Sequence, residues 1–434
     1  MNYLLERDHN MKFMHVSDLH LDSPFVGMSK EFQGIQPFLI KSAYTAFERC
    51  VSVAINREVD AVVIVGDVFD SEKQTIYAQH FFSQQLERLN QANIPVVFTH
   101  GNHDYLTAQL ERRKYPQNVH VFMDDAVQYH DVTLNKGETA RFYGFSYKTK
   151  WIKQRMIEQY PINNHETDYT IGMLHGEMNT SDNDTSTYAP FTVKELLEKN
   201  YDYWALGHIH MHEILNEQPL IQYSGTIQGR HRNETGVKGA YIIELTPNKP
   251  TKSEFIPLSP IIWIREVIEC QLDDQASEIA NRIQKVINNH YDEAEAHGES
   301  YILDVVLTRA ERLDEELQYQ IENGEMLHTL SQSQYVQPFV IISKITLERN
   351  FQVSPFQYDE TLNSSFKEAF AIVTDNDEFS KVMTPLFSHA VIQTYLKPLL
   401  EEEELKNNII ANGHDIVVQS LGFDSVEGVT HDED

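Results

Sequence analysis

Five short polar motifs, each directly behind an apolar run, constrain this chain more than any other feature. They are Ser17-Asp18-Leu19-His20, Gly66-Asp67-Val68-Phe69-Asp70, Gly101-Asn102-His103-Asp104, His175-Gly176 and Gly207-His208-Ile209-His210. The runs before them include Ala61-Val62-Val63-Ile64-Val65 and Ile94-Pro95-Val96-Val97-Phe98. Short, continuous apolar runs of this kind read as parallel strands buried on both faces. Between the first three lie helical patterns. Residues 37–57 put Phe38, Ala43, Phe47, Val51 and Ala54 on one face, and 75–92 form a second helix. Shorter strands are expected near 119–122, 127–133 and 141–146, and Tyr169–Leu174 and Tyr203–Leu206 lead into the last two motifs. Ile214-Leu215, Ile221–Tyr223 and Tyr241–Ile243 read as an antiparallel set. The alternation is that of an α/β fold. In such sheets ligands sit beyond the carboxyl ends of the strands, so residues distant in sequence reach one site without special loops.

The side chains at those ends are Asp18, His20, Asp67, Asn102, His175, His208 and His210. They offer oxygen and imidazole nitrogen and no sulfur. That set disfavours a closed structural zinc site and suits Mn, Mg, Fe or Zn in an open one. Asp18 and His20, like His208 and His210, are two residues apart, so in extended chain both side chains project to the same side. A carboxylate such as Asp67 has two oxygens and can bridge two ions. Two cations about 4 Å apart hold both ends of an in-line displacement at phosphorus. Taken singly, each histidine has an ordinary packing explanation; five motifs in this order, each behind a strand, do not. His15, His100 and His212 flank motifs and are expected to pack or to support ligands. His120, His130 and His231 have no motif behind them.

Charge divides the chain. Of 35 Lys and Arg and 65 Asp and Glu, residues 1–260 hold 24 and 32, whereas 261–434 hold 11 and 33. Fourteen of the 20 histidines lie in the first part, which places the chemistry there. A net charge of −30 argues against a protein that grips nucleic acid through a broad basic surface. The local exceptions are Arg112-Arg113-Lys114, the group Lys148, Lys150, Lys153 and Arg155, and Gly229-Arg230-His231-Arg232. In the last, Arg230 and Arg232 are the candidates for a DNA-facing loop, because they follow the His208/His210 strand. Cys50 and Cys270 are the only cysteines, which fits a reducing cytosol and excludes a disulfide framework. No run of about 18 apolar residues exists, so no membrane span is expected.

The expected domains are a leader at 1–11, a catalytic domain at 12–258, a smaller α+β domain at 259–350 and an acidic, mostly helical region at 351–434. Pro247, Pro250, Pro257 and Pro260 mark the first boundary. Beyond it, a strand (261–272), a helix with Ile279, Ile283, Val286 and Ile287 on one face, and a strand (301–308) form a β-α-β unit. A later strand spans 338–348. Ser365-Phe366-Lys367-Glu368 has capping-box spacing, and Glu401–Glu404 form an acidic run.

With these motifs the sequence resembles the calcineurin-like metallophosphoesterase superfamily. Within it, the chain is similar to the nuclease subunit of the SbcCD type and to YhaO-type DNA repair exonucleases. The resemblance covers residues 12–245 and includes Ser17–Asp22, Tyr223-Ser224-Gly225-Thr226 and Lys238-Gly239-Ala240-Tyr241. It implies a four-layer α-β-β-α sandwich with a smaller α+β cap domain and a helical C-terminus. It implies two divalent ions, manganese first among the choices. Asp18, His20, Asp67 and His210 would hold one, and Asp67, Asn102, His175 and His208 the other. His103 would protonate the leaving oxygen or stabilise the phosphate, with Asp70 hydrogen-bonded to its ring; a turn aspartate before Ser71 is the competing reading of Asp70. The residues after 260 would include a DNA-capping domain and a helical element that binds a coiled-coil ATPase of the SbcC type. Related nucleases dimerise through helices near the active site, for which 75–115 is the matching stretch.

The expected function is therefore a cytoplasmic, metal-dependent DNA exonuclease or endonuclease in DNA repair. One alternative is a phosphoesterase of the same fold acting on cyclic nucleotides or phosphoproteins. Phosphoprotein phosphatases carry Arg-Gly after the second Asp and Glu after Asn-His, where this chain has Ser71-Glu72 and Asp104. The other alternative is a docking subunit with a vestigial metal site.

Overall fold

A computed structural model describes residues 10–23, 34–71, 74–107, 114–134, 137–179, 186–272, 274–331 and 336–349, with scattered positions between 368 and 413. Most of the leader, Arg112 and Arg113, Ser365 and the run Glu401–Glu404 lie outside the described residues. Two compact units are present. The first comprises Met1–Ile268, Gln275–Leu307 and Tyr319–Thr346; the second comprises Glu269–Asp274, Thr308–Gln318 and Leu347–Asp434.

The first unit is built on two six-stranded sheets. One contains β1 (Met11–Val16), β2 (Ala61–Val65), β3 (Val96–Thr99) and β4 (Val119–Val121), joined by α1 (Gln36–Asn56) and α2 (Ile76–Gln91). These four strands are parallel. The other contains β5 (Gln128–Thr133), β6 (Thr139–Gly144), β7 (Tyr169–His175), β8 (Tyr203–Gly207), β9 (Glu213–Glu217) and β10 (Leu220–Tyr223), in the order β5-β6-β7-β8-β10-β9. A short helix, α3 (Val193–Glu198), precedes β8.

Strand periodicity sorts the side chains into layers. Phe13, Ala61, Val63, Val65 and Val97 face Phe142, Ile171, Met173, Tyr203 and Ala205 in a core between the sheets. The alternate residues Met14, Val16, Val62, Ile64 and Phe98 pack under Ala43, Phe47 and Val51 of α1 and Phe82 and Leu86 of α2. On the far side of the second sheet, Trp204, Leu206 and Leu174 pack with Tyr160, Tyr201, Phe191 and Leu196. The result is the expected four-layer sandwich. Helix starts follow local chemistry: a proline opens α1, and the Thr75 hydroxyl accepts the Ala78 N–H at the start of α2.

Two expectations about strand partners need correction. Tyr241–Ile243 does not join the antiparallel set of 214–223. It belongs to β11 (Gly239–Leu245), which crosses to the first sheet and runs antiparallel to β1. Its two faces explain this. Tyr241 and Ile243 enter the inter-sheet core while Ala240 and Ile242 enter the helix layer, so the strand needs cover on both sides. β10 pairs parallel with β8 as well as antiparallel with β9. The proline-rich stretch 247–260 carries the edge strand β12 (Lys252–Pro257) beside β11.

A three-stranded sheet of β13 (Ile261–Glu269), β14 (Ser300–Thr308) and β15 (Val340–Glu348) follows, with α4 (Ala276–His297) between β13 and β14. Ile261, Trp263, Ile302, Phe339 and Ile341 of this sheet region cluster with Ile35 and Leu39 at the start of α1. Two further helices, α5 (Glu315–Glu322) and α6 (Glu325–Leu330), had no clear signal in the sequence. In the second unit Arg312 donates to the Cys270 carbonyl at 2.9 Å, and Arg349 donates to Gln318 at 3.0 Å. Among the described residues no helix is long and apolar enough to cross a membrane.

Candidate metal centre

Parallel β1, β2 and β3 deliver Ser17, Gly66 and His100 to one edge of the first sheet, and β7 and β8 deliver His175 and Gly207 from the second. The chain turns sharply there. Asp18, His20, Asp67 and His208 have φ of 52°, 44°, 50° and 99°. Left-handed backbone at non-glycine residues costs on the order of 1–3 kcal/mol each and persists only where its surroundings enforce it. The loops after β1 and β2 enforce it on each other: Asp18 N–H bonds to Gly66 O at 3.2 Å, His20 to Asp67 at 3.0 Å and Leu21 to Val68 at 3.0 Å. Two glycines permit the crowding. A Cβ at Gly66 (φ 75°) would lie 2.2 Å from His175 Nδ1, and one at Gly207 would lie 2.1 Å from the Val65 carbonyl.

Asp67 is the centre of the arrangement. Its Oδ1 accepts the His103 N–H at 2.9 Å. Its Oδ2 lies 3.8 Å from His20 Nε2 on one side and 3.4 Å from His175 Nε2 on the other. Beyond His20, its Nε2 is 3.1 Å from His210 Nε2, and each nitrogen is 3.9 Å from Asp18 Oδ1. Beyond His175, Asn102 Oδ1 lies 3.0 Å from His175 Nε2 and 3.1 Å from His208 Nδ1. All seven side chains singled out in the sequence thus meet in two groups that share Asp67.

The donor set fits divalent cations. His175 Nδ1 points at the Val65 carbonyl at 3.0 Å; a carbonyl only accepts, so Nδ1 keeps its proton and Nε2 is the nitrogen turned toward Asn102 and Asp67, where a cation would take the place of a proton. His20 Nδ1 is 3.1 Å from Asp70 Oδ1, and His210 Nδ1 is 2.6 Å from Glu234 Oε1. With protons facing those carboxylates, the Nε2 lone pairs of His20 and His210 confront each other at 3.1 Å. Two such lone pairs repel unless a proton or a cation lies beside them. Burial, reinforced by the Arg230 charge, lowers the pKa of His20; burial and the His175 charge push His208 down to about 3. Both imidazoles are therefore neutral, as ligands must be. Burial opposes charge on Asp67 and His175 too, but their mutual attraction wins. It holds Asp67 well below the usual carboxylate range and raises His175.

Around these seven lies a layer that the sequence motifs only partly revealed. Glu234, nearly fully buried at 4% exposure, had no signal of its own. Burial raises its pKa, but the hydrogen bond from His210 and the Arg230 charge outweigh this and bring it to about 2. Asp104 accepts the Gly101 and Val68 N–H groups at 2.8 and 3.0 Å and so braces two ligand loops. His103 lies beside Asp67, and Asp70 is its partner through the backbone rather than the carboxylate. Its Nδ1 donates to the Asp70 backbone carbonyl at 2.9 Å. The Asp70 carboxylate faces His20 and accepts from Arg230 at 2.6 Å instead. Arg230 is likewise not laid out on the surface: its guanidinium is spent on the half-buried Asp70 and, at 3.7 Å, on the buried Glu234, carboxylates that demand a cation. Arg232 is half-buried nearby.

Other expectations resolve simply. His15 contacts the Tyr203 hydroxyl at 2.8 Å, His100 lies 3.3 Å from Asp104, and His212 stacks on Tyr241. His120 and His130 stack on each other with ring centroids 3.8 Å apart, and His231 sits 3.4 Å from Glu234. In the basic group, Lys148 pairs with Asp124 and Asp125 and Arg155 with Glu195, so half of it is already neutralised.

Residues 11–212 match the family of calcineurin-like phosphoesterases. The chain is similar to YhaO of Bacillus subtilis, an uncharacterized metallophosphoesterase, at 33% identity over 60% of this chain and 63% of the relative. It thus spans less than two thirds of that protein. It is also similar to Mre11 of Methanocaldococcus jannaschii, a DNA double-strand break repair protein, at 25% identity over 64% of this chain and 74% of the relative. The SbcD component of the nuclease SbcCD from Staphylococcus saprophyticus matches at 24% identity, over 62% of this chain and 74% of the relative.

Proposed function

We propose, from the premise that residues 11–212 form a calcineurin-like phosphoesterase domain, that this chain is a dinuclear-metal phosphodiesterase acting on DNA. The observation that carries the reading is the position of Asp67 Oδ2, within 3.8 Å of one imidazole group and 3.4 Å of the other. One oxygen there can serve two cations at once. Asp18, His20, Asp67 and His210 would hold the first ion, and Asp67, Asn102, His175 and His208 the second, with manganese the preferred metal. When bound, such a pair supplies Lewis-acid charge that activates water and neutralises phosphate oxygens.

The chain's own residues do the rest. The His103 Nδ1 proton is committed to the Asp70 carbonyl, so the proton passed to the departing sugar oxygen would be the second one, on Nε2 of the imidazolium, which returns to the neutral ring. The ring is half-exposed, edge-on to His20 with centroids 5.0 Å apart, so it stands beside the ligands without being one. The His103 backbone N–H occupies Asp67 Oδ1, which keeps the other carboxylate oxygen turned inward. Asp70 holds His103 through its carbonyl and His20 through its carboxylate.

DNA as the substrate, a role in repair, and an SbcC-like ATPase as partner are supported by the similarity to Mre11 and to SbcD. Over the strongly acidic residues 261–434, a protein partner fits better than DNA. The test is hydrolysis of linear DNA, a generic phosphodiester and a phosphomonoester, with manganese and with chelator. Manganese-dependent cleavage of DNA and of the diester, far above the monoester, is expected. Preferential release of phosphate from the monoester or from a phosphopeptide would overturn the DNA reading.

A further inference from the structure

We propose that Glu234 and Arg230 are positioning residues that clamp one half of the metal centre, an inference that rests on the two-cation reading above. The contacts close into a ring. His20 Nδ1 faces Asp70 Oδ1 at 3.1 Å, Asp70 Oδ1 accepts from Arg230 at 2.6 Å, Arg230 lies 3.7 Å from Glu234 Oε1, and Glu234 Oε1 faces His210 Nδ1 at 2.6 Å. The circuit ends where it began, with His210 Nε2 3.1 Å from His20 Nε2. His210 is hydrogen-bonded from behind by Glu234, His20 has the Asp70 carboxylate 3.1 Å behind it, and one guanidinium ties the two carboxylates together.

The ring decides a tautomer. His210 Nδ1 has two neighbours, Glu234 Oε1 at 2.6 Å and Arg230 at 3.2 Å. A guanidinium only donates and an ionised carboxylate only accepts, so the nitrogen cannot serve both. The shorter contact wins: Nδ1 carries the proton, gives it to Glu234, and leaves Nε2 free for a cation. A carboxylate behind a ligand histidine also raises its basicity, and losing such a partner lowers metal affinity by roughly 10–100-fold. The other half of the centre is built differently. His175 is backed by the Val65 carbonyl and Asn102 is a neutral amide.

The clamp loop is itself anchored. The Arg230 N–H donates to Glu234 Oε2 at 2.6 Å, which folds 230–234 on itself. Trp263 of β13 holds both ends: its Nε1 donates to Gly229 O at 3.0 Å, and its carbonyl accepts from Gly236 N at 2.8 Å. The three-stranded sheet thereby reaches the His20/His210 half-site through one loop.

The test is manganese binding by the full chain, wild type beside Glu234→Gln and Glu234→Asp, with melting temperatures recorded in chelator. Wild type is expected to take up two ions. Glu234→Gln is expected to weaken one of them by roughly 10–100-fold, to leave the other unchanged, and to melt in chelator no lower than wild type. Glu234→Asp, which keeps the carboxylate, is expected to recover part of the loss. If wild type binds two ions and Glu234→Gln binds both as tightly, the clamp is refuted. It is refuted equally if Glu234→Gln weakens both ions to the same extent while melting lower in chelator, since that marks a general structural role. If wild type itself binds no pair of ions, the two-cation reading fails first.

Discussion

At the scale of single residues, the seven ligand candidates were legible because each stands at the end of an apolar strand, where side-chain direction is set by the strand. Glu234 was not. It lies 24 positions after His210, in a loop whose arginines drew attention to themselves and away from the acid that neutralises them. The Asp70 contact to His103 is made by an atom that the sequence could not single out: spacing does not distinguish a carboxylate from the carbonyl of the same residue, and the carbonyl holds His103. His103→Ala is expected to keep its metal content and to lose cleavage by roughly 10²–10⁴-fold. Turnover near wild type would remove His103 from the chemistry. Asp67→Asn is expected to lose metal and activity together, since under the proposed function one carboxylate would serve both half-sites; elemental analysis showing full occupancy would contradict that. Away from the centre, burial lowers the pKa of His15 from 6.5 to about 3. Below about 6.5, the ordinary value for a histidine in an unfolded chain, the unfolded chain takes up a proton there that the fold refuses. Stability is therefore lost as pH falls from 6.5 toward 3, and at higher pH this residue contributes no pH dependence. Urea unfolding in chelator is expected to show a smaller loss between about pH 7 and pH 5 for His15→Gln than for wild type. An identical loss in both would rule His15 out as a source.

At the scale of elements, the parallel strands and the first two helices follow from apolar runs and helical periodicity. β11 does not, because an apolar strand says that it is buried and not which sheet buries it. α2 shows how packing reaches the metal loop. Phe82, fully buried, touches Phe47, Phe69 and Phe98 with ring centroids 5.6, 5.6 and 5.8 Å away. Phe69 directly precedes Asp70, so the floor of the second motif rests on this helix. Phe82→Ala is expected to cost about 3–5 kcal/mol of stability, read as a shift of the denaturant midpoint in chelator. A cost below about 1 kcal/mol, the scale of a tolerated swap, would mean that α2 is not braced this way.

At the scale of the molecule, chemistry and charge are separated along the chain. The first 260 residues carry the strand-end motifs, and the shorter remainder carries slightly more acid than they do and fewer than half as many bases. Composition made that division visible, whereas the packing of Trp263 and Ile261 against the start of α1 and the clamp loop was hidden, since no local pattern announces which surface a new sheet will cover. What the whole fold achieves is to bring six donors from four strand ends around the Asp67 carboxylate at a fifth. Anomalous diffraction from crystals grown with manganese tests that claim most directly. Two peaks are expected, one beside Asp18, His20 and His210 and one beside Asn102, His175 and His208, with Asp67 between them. A single peak remote from Asp67, or none at full manganese saturation, would contradict it.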